Sequence, residues 1–357
     1  MKKLRVALIG QGRSGKDIHG AFFLSERNKW YDVAYVVDAD ERRRNIALET
    51  YPGCRVFADY RDLLHKKDID IVVNASFSYM HYAITKDLLE HKFNVLVEKP
   101  FARNQYECSD LINTAKENGV LLAVFQQTFY APYYQDALKL IESGILGKVY
   151  QISIRFNGFA RRWDWQTLQK KMGGNAYNTG PHPIGMALGF LDFDDAAKVV
   201  YTKLGNTAMS SGDSDDYCKI ILDCPNKPVI DVEINNTDCF TNYNVKIQGD
   251  KGCFKATPAA YEYRYVVDGE NSERPVIEEF LQDENGNPLY CSEKLVYHEE
   301  KGAYPGTAFN VGTQLLYENL YYALTEGKEM YIDAEKVKKI VGIIETAHAE
   351  NDLPVLF

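Results

Sequence analysis

The sequence has no long hydrophobic run of the kind that crosses a membrane. Its longest stretch without a charged residue, Met172–Leu191, approaches spanning length but contains five Gly, two Pro and two Asn. An export signal is also missing, because the apolar run after the first basic residues ends at Gly10 and no cleavage-like site follows it. These absences predict a cytoplasmic protein without a membrane partner.

Positive charge and paired cysteines are scarce as well. The 41 Lys and Arg stand against 50 Asp and Glu, which gives a formal net charge of −9. A protein that neutralises many phosphates needs the opposite balance, so we expect no nucleic-acid partner. The seven cysteines form no C-x-x-C pair, which favours reduced thiols and no metal site. A small-molecule partner fits this composition better.

Hydrophobic patterning divides the chain into two parts, and a length of 357 residues is typical of about two domains. Within residues 1–126, short apolar strands alternate with helices, which predicts a dinucleotide-binding α/β domain of the Rossmann type. The predicted strands are Leu4–Ile9, Val33–Val37, Ile71–Asn74, Val95–Glu98 and Leu121–Gln126, and the predicted helices are Gly15–Arg27, Asp40–Thr50, Met80–His91 and Gln105–Asn118.

Residues 127–357 show a different pattern. Longer polar–apolar alternations with few helices between them predict an α+β domain on a mostly antiparallel sheet, which would bind substrate and form oligomers. Two helices close the chain, and the last of them could pack back on the first domain. The predicted elements are strands Tyr150–Phe156, Lys198–Leu204, Tyr217–Leu222, Val229–Ile234 and Tyr243–Gln248, and helices Thr307–Thr325 and Ala334–Ala349.

A glycine-rich segment follows the first predicted strand and opens the first predicted helix. It reads Gly10-Gln11-Gly12-Arg13-Ser14-Gly15 and matches G-x-G-x-x-G in the context where that pattern binds dinucleotides. Gly10 permits the tight turn, Gly12 lets the backbone approach a pyrophosphate, and Gly15 allows close helix packing. The helix start adds free N–H donors, so Arg13 and Ser14 join the predicted cofactor contacts. An ordinary glycine-rich turn is the alternative.

Asp38 closes the second predicted strand, where a carboxylate can accept hydrogen bonds from the ribose hydroxyls of the cofactor. This position favours NAD. Arg42, Arg43 and Arg44 follow, and Arg42 or Arg43 could bind the 2′-phosphate of NADP or simply face solvent. NADP therefore stays open as the second cofactor.

Two further motifs carry a family resemblance. Glu98-Lys99-Pro100 ends a predicted strand at the edge where ligands bind, and residues 173–182 read G-G-x(5)-G-x-H. Together with the glycine loop and Asp38, they resemble the Gfo/Idh/MocA family of NAD(P)-dependent oxidoreductases over nearly the whole chain. The resemblance implies that Lys99 contacts the nicotinamide ribose and the substrate hydroxyl. It also implies that Pro100 follows an unusual, cis peptide bond and that His182 transfers the hydroxyl proton.

The sequence departs from the family pattern at several positions. Asn178 and Gly185 stand where the family has Asp, so His182 would be oriented by an amide and stay neutral more readily, with Lys99 taking more of the proton transfer. Ser76 replaces a family Thr near the cofactor, while His81 matches the family His; both are predicted cofactor contacts, as is Glu98.

Aromatic residues near the active-site segment are the candidates for substrate contact. Trp163, Trp165 and Tyr177 suit stacking against a sugar face, although the tryptophans could equally anchor a domain or subunit interface. The expected function is hydride transfer between a secondary hydroxyl of a sugar, inositol or related polyol and NAD. The alternatives are a redox-neutral enzyme that retains NAD, such as a lyase, epimerase or glycosidase, and a non-catalytic regulator. A homodimer or homotetramer is expected.

Overall fold

A six-stranded parallel sheet forms the first half of the protein in the computed structural model, which describes residues 3–357. Its strand order is β3-β2-β1-β4-β5-β6, the order of a dinucleotide-binding Rossmann sheet, so the prediction for the first domain is confirmed. The strands are β1 Leu4–Ile9, β2 Tyr31–Val37, β3 Arg55–Phe57, β4 Ile71–Asn74, β5 Val95–Val97 and β6 Leu122–Val124.

Helices cover both faces of this sheet, because the apolar strands have no polar face to show to water. A π-helix, Ser14–Gly20, runs into the short α-helix α1, and Asn104 and left-handed Gly119 bound α4 as the sequence predicts. The predicted helix Gly15–Arg27 is too long, since the backbone becomes extended at Ser25. The helices are α1 Ala21–Leu24, α2 Glu41–Thr50, α3 His81–Glu90 and α4 Gln105–Asn118.

The second half is built on an eight-stranded sheet in the order β14-β13-β12-β11-β7-β10-β9-β8. Only β7 and β10 pair in parallel, so the prediction of a mostly antiparallel sheet is confirmed. The strands are β7 Val149–Arg155, β8 Lys198–Gly205, β9 Tyr217–Asp223, β10 Val229–Asn235, β11 Val245–Gly249, β12 Gly252–Ala256, β13 Ala260–Tyr265 and β14 His298–Ala303.

The two faces of this sheet differ in chemistry. One face is apolar and buried, with Ile152, Ile220 and Val232 inaccessible to solvent. The other face carries ion pairs between strands, such as Arg155 with Asp231 at 2.6 Å. The helices of this half are α5 Pro132–Glu142, α6 Asn175–Asn178, α7 Pro181–Phe190, α8 Thr313–Glu326 and α9 Ala334–Ala349, and a π-helix, Ala308–Gly312, precedes α8.

The last two helices return to the first domain. Leu316, Tyr317 and Leu320 of α8 belong to the same apolar cluster as Val6 and Leu8 of β1. Helix α9 packs on α4, and its Glu335 and Glu345 bind Lys116 and the Gln105 amide of that helix. None of the helices within residues 3–357 combines the length and apolar composition needed to cross a membrane.

Candidate active site

The glycine-rich loop lies where the strand order of the first sheet reverses, between β1 and β4. Gly10 adopts a left-handed φ of +91°, and a Cβ atom on it would approach the Ala75 carbonyl oxygen to 2.4 Å. A Cβ on Gly15 would lie 1.8 Å from the Gly10 carbonyl oxygen, which explains the close helix packing. A Cβ on Gly12 would meet only Arg43, at 3.9 Å. The loop is therefore closed on the protein side and open at Gly12.

Asp38 is buried at the end of β2 and holds the neighbouring backbone in place. Its carboxylate accepts hydrogen bonds from the amides of Gln11, at 2.7 Å, and Asp40, at 2.8 Å. Arg43 reaches it at 3.5 Å, whereas Arg42 pairs with Asp40 and its side chain is 88% exposed. Arg43, not Arg42, thus lies beside the predicted ribose site.

Glu98 anchors the end of β5 through two hydrogen bonds. Its side chain is buried, and its two oxygens accept hydrogen bonds from His19 Nε2, at 3.1 Å, and from the Lys99 amide, at 3.0 Å. Burial alone would raise the pKa of Glu98, but His19 and the nearby Lys99 hold that pKa at about 2. Each oxygen thus accepts one hydrogen bond from the protein, and the cofactor contact of Glu98 stays a prediction. The sequence offered no signal for His19, which lies on the first helical segment.

Lys99 reaches from the first domain to the second. The Lys99–Pro100 peptide bond is cis, as the resemblance implied, and Lys99 Nζ donates to the Asn178 carbonyl oxygen at 2.9 Å. Desolvation lowers the pKa of Lys99; Glu98 opposes this shift, and the positive charges of Arg13 and Arg162 add to it. Lys99 is therefore an amine whose neutral form is more accessible than that of a surface lysine.

His182 stands at the start of α7 and is held by a residue that sequence reasoning missed. Its Nδ1 atom lies 2.7 Å from the Thr128 hydroxyl, while the Asn178 side chain accepts a hydrogen bond from Gln166 at 2.8 Å. The hypothesis that Asn178 orients His182 is thus wrong. Burial, with the charge of Lys99, lowers the pKa of His182 to about 3, so the imidazole is neutral at physiological pH.

His81 lies between two loops, and both of its ring nitrogens are close to backbone carbonyl oxygens. Its Nδ1 lies 2.8 Å from the Pro100 carbonyl oxygen and its Nε2 lies 3.2 Å from the Ser76 carbonyl oxygen. Burial lowers the pKa of His81, and a neutral imidazole carries one N–H group, so one of these two contacts is a hydrogen bond. The buried ring connects the two loops, and its cofactor contact stays a prediction.

Several buried polar atoms at the carboxyl ends of β4 and β6 have no hydrogen-bond partner among residues 3–357. They are the Ser76 hydroxyl and both amide atoms of Gln126. Such atoms are costly unless a ligand or water satisfies them. Together with the open cradle at Gly12 and the Asp38 carboxylate, they supply the donors and acceptors that a dinucleotide requires, so the residues present fit NAD.

The three aromatic candidates occupy different environments. Trp163 is 76% exposed, and Trp165 meets Phe77 of the first domain edge to face, with ring centroids 5.1 Å apart. Tyr177 is buried, its hydroxyl donates to the Arg103 carbonyl oxygen, and its ring stacks on His348. Tyr177 packs in the core, and its prediction as a substrate contact is wrong.

A small polar cleft of about 10 Å³, the size of one water molecule, adjoins Asn178. Asp215 lies on its wall and accepts a hydrogen bond from the Ala176 amide at 2.8 Å, so it fixes the start of α6. Burial raises the pKa of Asp215 to about 7. The acidic run Asp213–Asp216 is the sequence feature that could have marked Asp215 as a candidate site residue. The cleft is lined by Arg162, Gln166, Thr167, Gly174, Asn175, Asn178, Ser210, Ser214, Asp215, Asp216 and Asn236.

Comparison with known families decides the assignment. Residues 4–126 match the oxidoreductase family NAD-binding Rossmann fold, and residues 138–350 match the C-terminal alpha/beta domain of the same family. The chain belongs to the Gfo/Idh/MocA oxidoreductase family. Its first half is an NAD-binding domain, and the expectation of NAD as cofactor is confirmed.

Curated relatives of this oxidoreductase are distant. An uncharacterised oxidoreductase of Schizosaccharomyces pombe is 27% identical over 266 residues, which cover 71% of each chain. A 2,7-anhydro-N-acetylneuraminate hydratase of Mediterraneibacter gnavus is 26% identical over 296 residues, 81% of this chain and 77% of the relative.

Solved structures share the fold over the full length. An NAD-binding protein from Listeria innocua has a TM-score of 0.80 at 19% identity and covers 99% of both chains. GenD2 from gentamicin A biosynthesis, solved in complex with NAD, has a TM-score of 0.76 at 21% identity, over 98% of this chain and 94% of its own. At these identities the likeness shows the fold alone.

Proposed function

We propose that this oxidoreductase transfers hydride between NAD and a secondary hydroxyl of a sugar, inositol or related polyol. The observation that carries the proposal is Lys99, an amine of lowered pKa that spans the two domains at the carboxyl end of β5. His182, a second polar group, stands at the start of α7 in the other domain. A hydroxyl substrate needs these two groups, an acid–base residue and a partner for its oxygen.

The chain's own residues can perform the proton half of this reaction. Neutral Lys99 accepts the hydroxyl proton as the C–O bond becomes a carbonyl, and it returns that proton in the reverse direction. The nicotinamide of NAD, when bound, supplies the acceptor for the hydride that leaves carbon. The residues that would hold the cofactor are Asp38, Ser76, Gln126 and the loop from Gly10 to Gly15.

The polar side chains around Asn178 favour a substrate that carries hydroxyl groups. They comprise amides, hydroxyls, two carboxyl groups and one guanidinium, which offer both hydrogen-bond donors and acceptors. No cluster of three or more His, Cys, Asp or Glu side chains suited to a metal ion is found in the described part of the chain. The polar groups around Asn178 are the basis for proposing that substrate is recognised through hydrogen bonds to its hydroxyl groups.

The test is an absorbance screen at the NADH band with sugars, inositols, polyols and their acids, with NAD and NADP supplied separately. We expect NADH formation with at least one member of the panel and its loss in the Lys99→Ala variant. Turnover that is equal in Lys99→Ala would contradict the assignment of Lys99. Absence of NADH formation across the panel would contradict the dehydrogenase proposal.

A redox-neutral reaction is the second candidate, and the hydratase relatives favour it. Two relatives at 26% and 25% identity, from Mediterraneibacter gnavus and Escherichia coli, are 2,7-anhydro-N-acetylneuraminate hydratases. In such a reaction NAD would be regenerated within each turnover. Cofactor retained through gel filtration, and a product detected by mass spectrometry without net NADH, would favour this candidate over the first.

A further inference from the structure

The contact between Thr128 and His182 joins two segments of the second domain. Thr128 lies in the short turn Gln127–Tyr130 that follows β6, and His182 is the second residue of α7. The Thr128 hydroxyl is 2.7 Å from His182 Nδ1, and the Thr128 side chain is almost inaccessible to solvent. This is a short hydrogen bond at a side chain that water barely reaches. Its energy there depends on which of the two groups donates the proton.

Either the His182 ring or the Thr128 hydroxyl can donate this hydrogen bond. The two directions differ in whether the hydroxyl hydrogen needs another acceptor. If His182 Nδ1 carried the proton and donated it, the Thr128 hydroxyl hydrogen would need a second acceptor. Among residues 3–357, the only partner at hydrogen-bond distance from that hydroxyl is His182 itself. A buried donor without an acceptor is unfavourable, because it loses its hydrogen bonds to water and gains none in return. The favoured direction is therefore donation from Thr128 to an unprotonated Nδ1.

The direction of this bond fixes the other ring nitrogen. A neutral imidazole carries one proton, so an Nδ1 atom that accepts leaves that proton on Nε2. His182 Nε2 has no hydrogen-bond partner within the part of the chain that the structure describes, and the residue is partly exposed. An N–H group at this position is free to donate to a ligand.

We propose that Thr128 is a positioning residue that holds His182 as its Nε2–H tautomer, so that His182 donates a hydrogen bond to the substrate oxygen. An Nε2 atom that already carries a proton cannot accept the hydroxyl proton. Lys99 is then the sole acceptor of that proton, and His182 stabilises negative charge on the oxygen. The role of His182 toward substrate rests on the proposed function; its tautomer does not.

The charged groups around the ring are compatible with one neutral form over a wide pH range. Lys99 disfavours the imidazolium and Glu98 favours it, and burial dominates both to place the pKa of His182 at about 3. The tautomer should therefore be constant between pH 5 and pH 8. A change over that range would come from Lys99 and not from the imidazole.

The tautomer can be measured without a substrate. We would label the histidine rings with ¹⁵N, record long-range ¹H–¹⁵N correlations at pH 5 and pH 7, and assign His182 by its absence in His182→Gln. We expect the proton on Nε2 in the wild type at both pH values. A proton on Nδ1 would overturn the proposal, whatever the behaviour of the variants.

Two variants separate the hydroxyl from the bulk of residue 128. Thr128→Ser keeps the hydroxyl and should preserve the Nε2–H signature. Thr128→Val keeps the shape but removes the donor, and it should shift the population toward Nδ1–H. An unchanged signature in folded Thr128→Val would refute a positioning role. If that variant does not fold, loss of the wild-type signature in Thr128→Ser overturns the proposal.

Activity measurements provide a second, independent test once a substrate is found in the NADH screen. His182→Gln retains an N–H group near the Nε2 position, whereas His182→Phe does not. A donor role predicts that His182→Gln keeps a kcat/KM about 10- to 100-fold above that of His182→Phe. Equal loss in both variants would mean that His182 is a base. If the screen finds no substrate, that result would contradict the proposed dehydrogenase activity. The tautomer measured by NMR would be unaffected by it.

Discussion

Replacement of Gly12 by alanine would separate cofactor binding from folding. A Cβ atom at this position meets nothing nearer than the Arg43 guanidinium at 3.9 Å, and its backbone φ lies outside the left-handed region. The free protein can thus accept the methyl group without rearrangement. The same methyl group points into the space that a pyrophosphate must approach if the glycine loop binds NAD.

The substitution should change the stability of the fold and the affinity for the cofactor in different directions. Alanine restricts the unfolded chain, so the fold should be as stable as the wild type or more stable by about 0.4–1 kcal/mol. A methyl group forced against the bound cofactor should cost about 1–3 kcal/mol. That cost corresponds to about 5- to 150-fold weaker NAD binding.

Thermal unfolding and NADH fluorescence titration of the same preparations would measure both effects. Gly158→Ala is the matched control, since a Cβ there meets nothing within 4 Å and lies in the other domain. Gly15→Ala is the opposite control, because its Cβ would lie 1.8 Å from the Gly10 carbonyl oxygen and should disrupt the fold. Wild-type affinity for NADH in a folded Gly12→Ala variant would refute the placement of the pyrophosphate.

Three further outcomes are expected. Lys99→Ala should lower kcat by ~10²–10⁴ while NADH binding changes only a few-fold, as stopped-flow and titration data would show; unchanged kcat would remove Lys99 from the mechanism. Glu98→Gln should lower the free energy of unfolding by about 3 kcal/mol at pH 7, because the folded-state pKa of Glu98 is about 2 and lies below its ordinary value of 4.5. That stabilisation is present above pH 4.5 and disappears as the pH falls toward 2, so urea unfolding at pH 7 and pH 3 should show a smaller difference between wild type and variant at the lower pH. Asp38→Ser should weaken NADH binding and strengthen NADPH binding, since it removes a carboxylate that would repel the 2′-phosphate and releases Arg43; no gain for NADPH in fluorescence titrations would show that Arg43 cannot reach that phosphate.

The fold of the first domain could be predicted closely because most residues of its strands are apolar. The predicted bounds of β1 and β4 coincide with those in the structure. Strand β3 escaped prediction, since three residues are too few to show a period. Strands β13 and β14 also escaped, because the irregular residues 266–297 separate two strands that pair only in three dimensions.

Motifs located the candidate site but not the directions of its side chains. The glycine loop and Lys99 lie where the sequence places them, because their roles depend on backbone position. Thr128 pairs with a histidine 54 residues later, and no local pattern marks such a partner. Tyr177 sits one residue from Asn178 yet faces the core, since neighbours on a short helix point in different directions.

The aromatic helix α8 has a consequence for biosynthesis. Tyr317 packs against Phe22, Phe23 and Tyr31, with ring centroids 4.5–5.2 Å apart, and thereby closes one side of the first sheet. Helix α8 leaves the ribosome only after the strands of both sheets have been made. The nascent nucleotide-binding half therefore waits with an uncovered apolar face until α8 arrives.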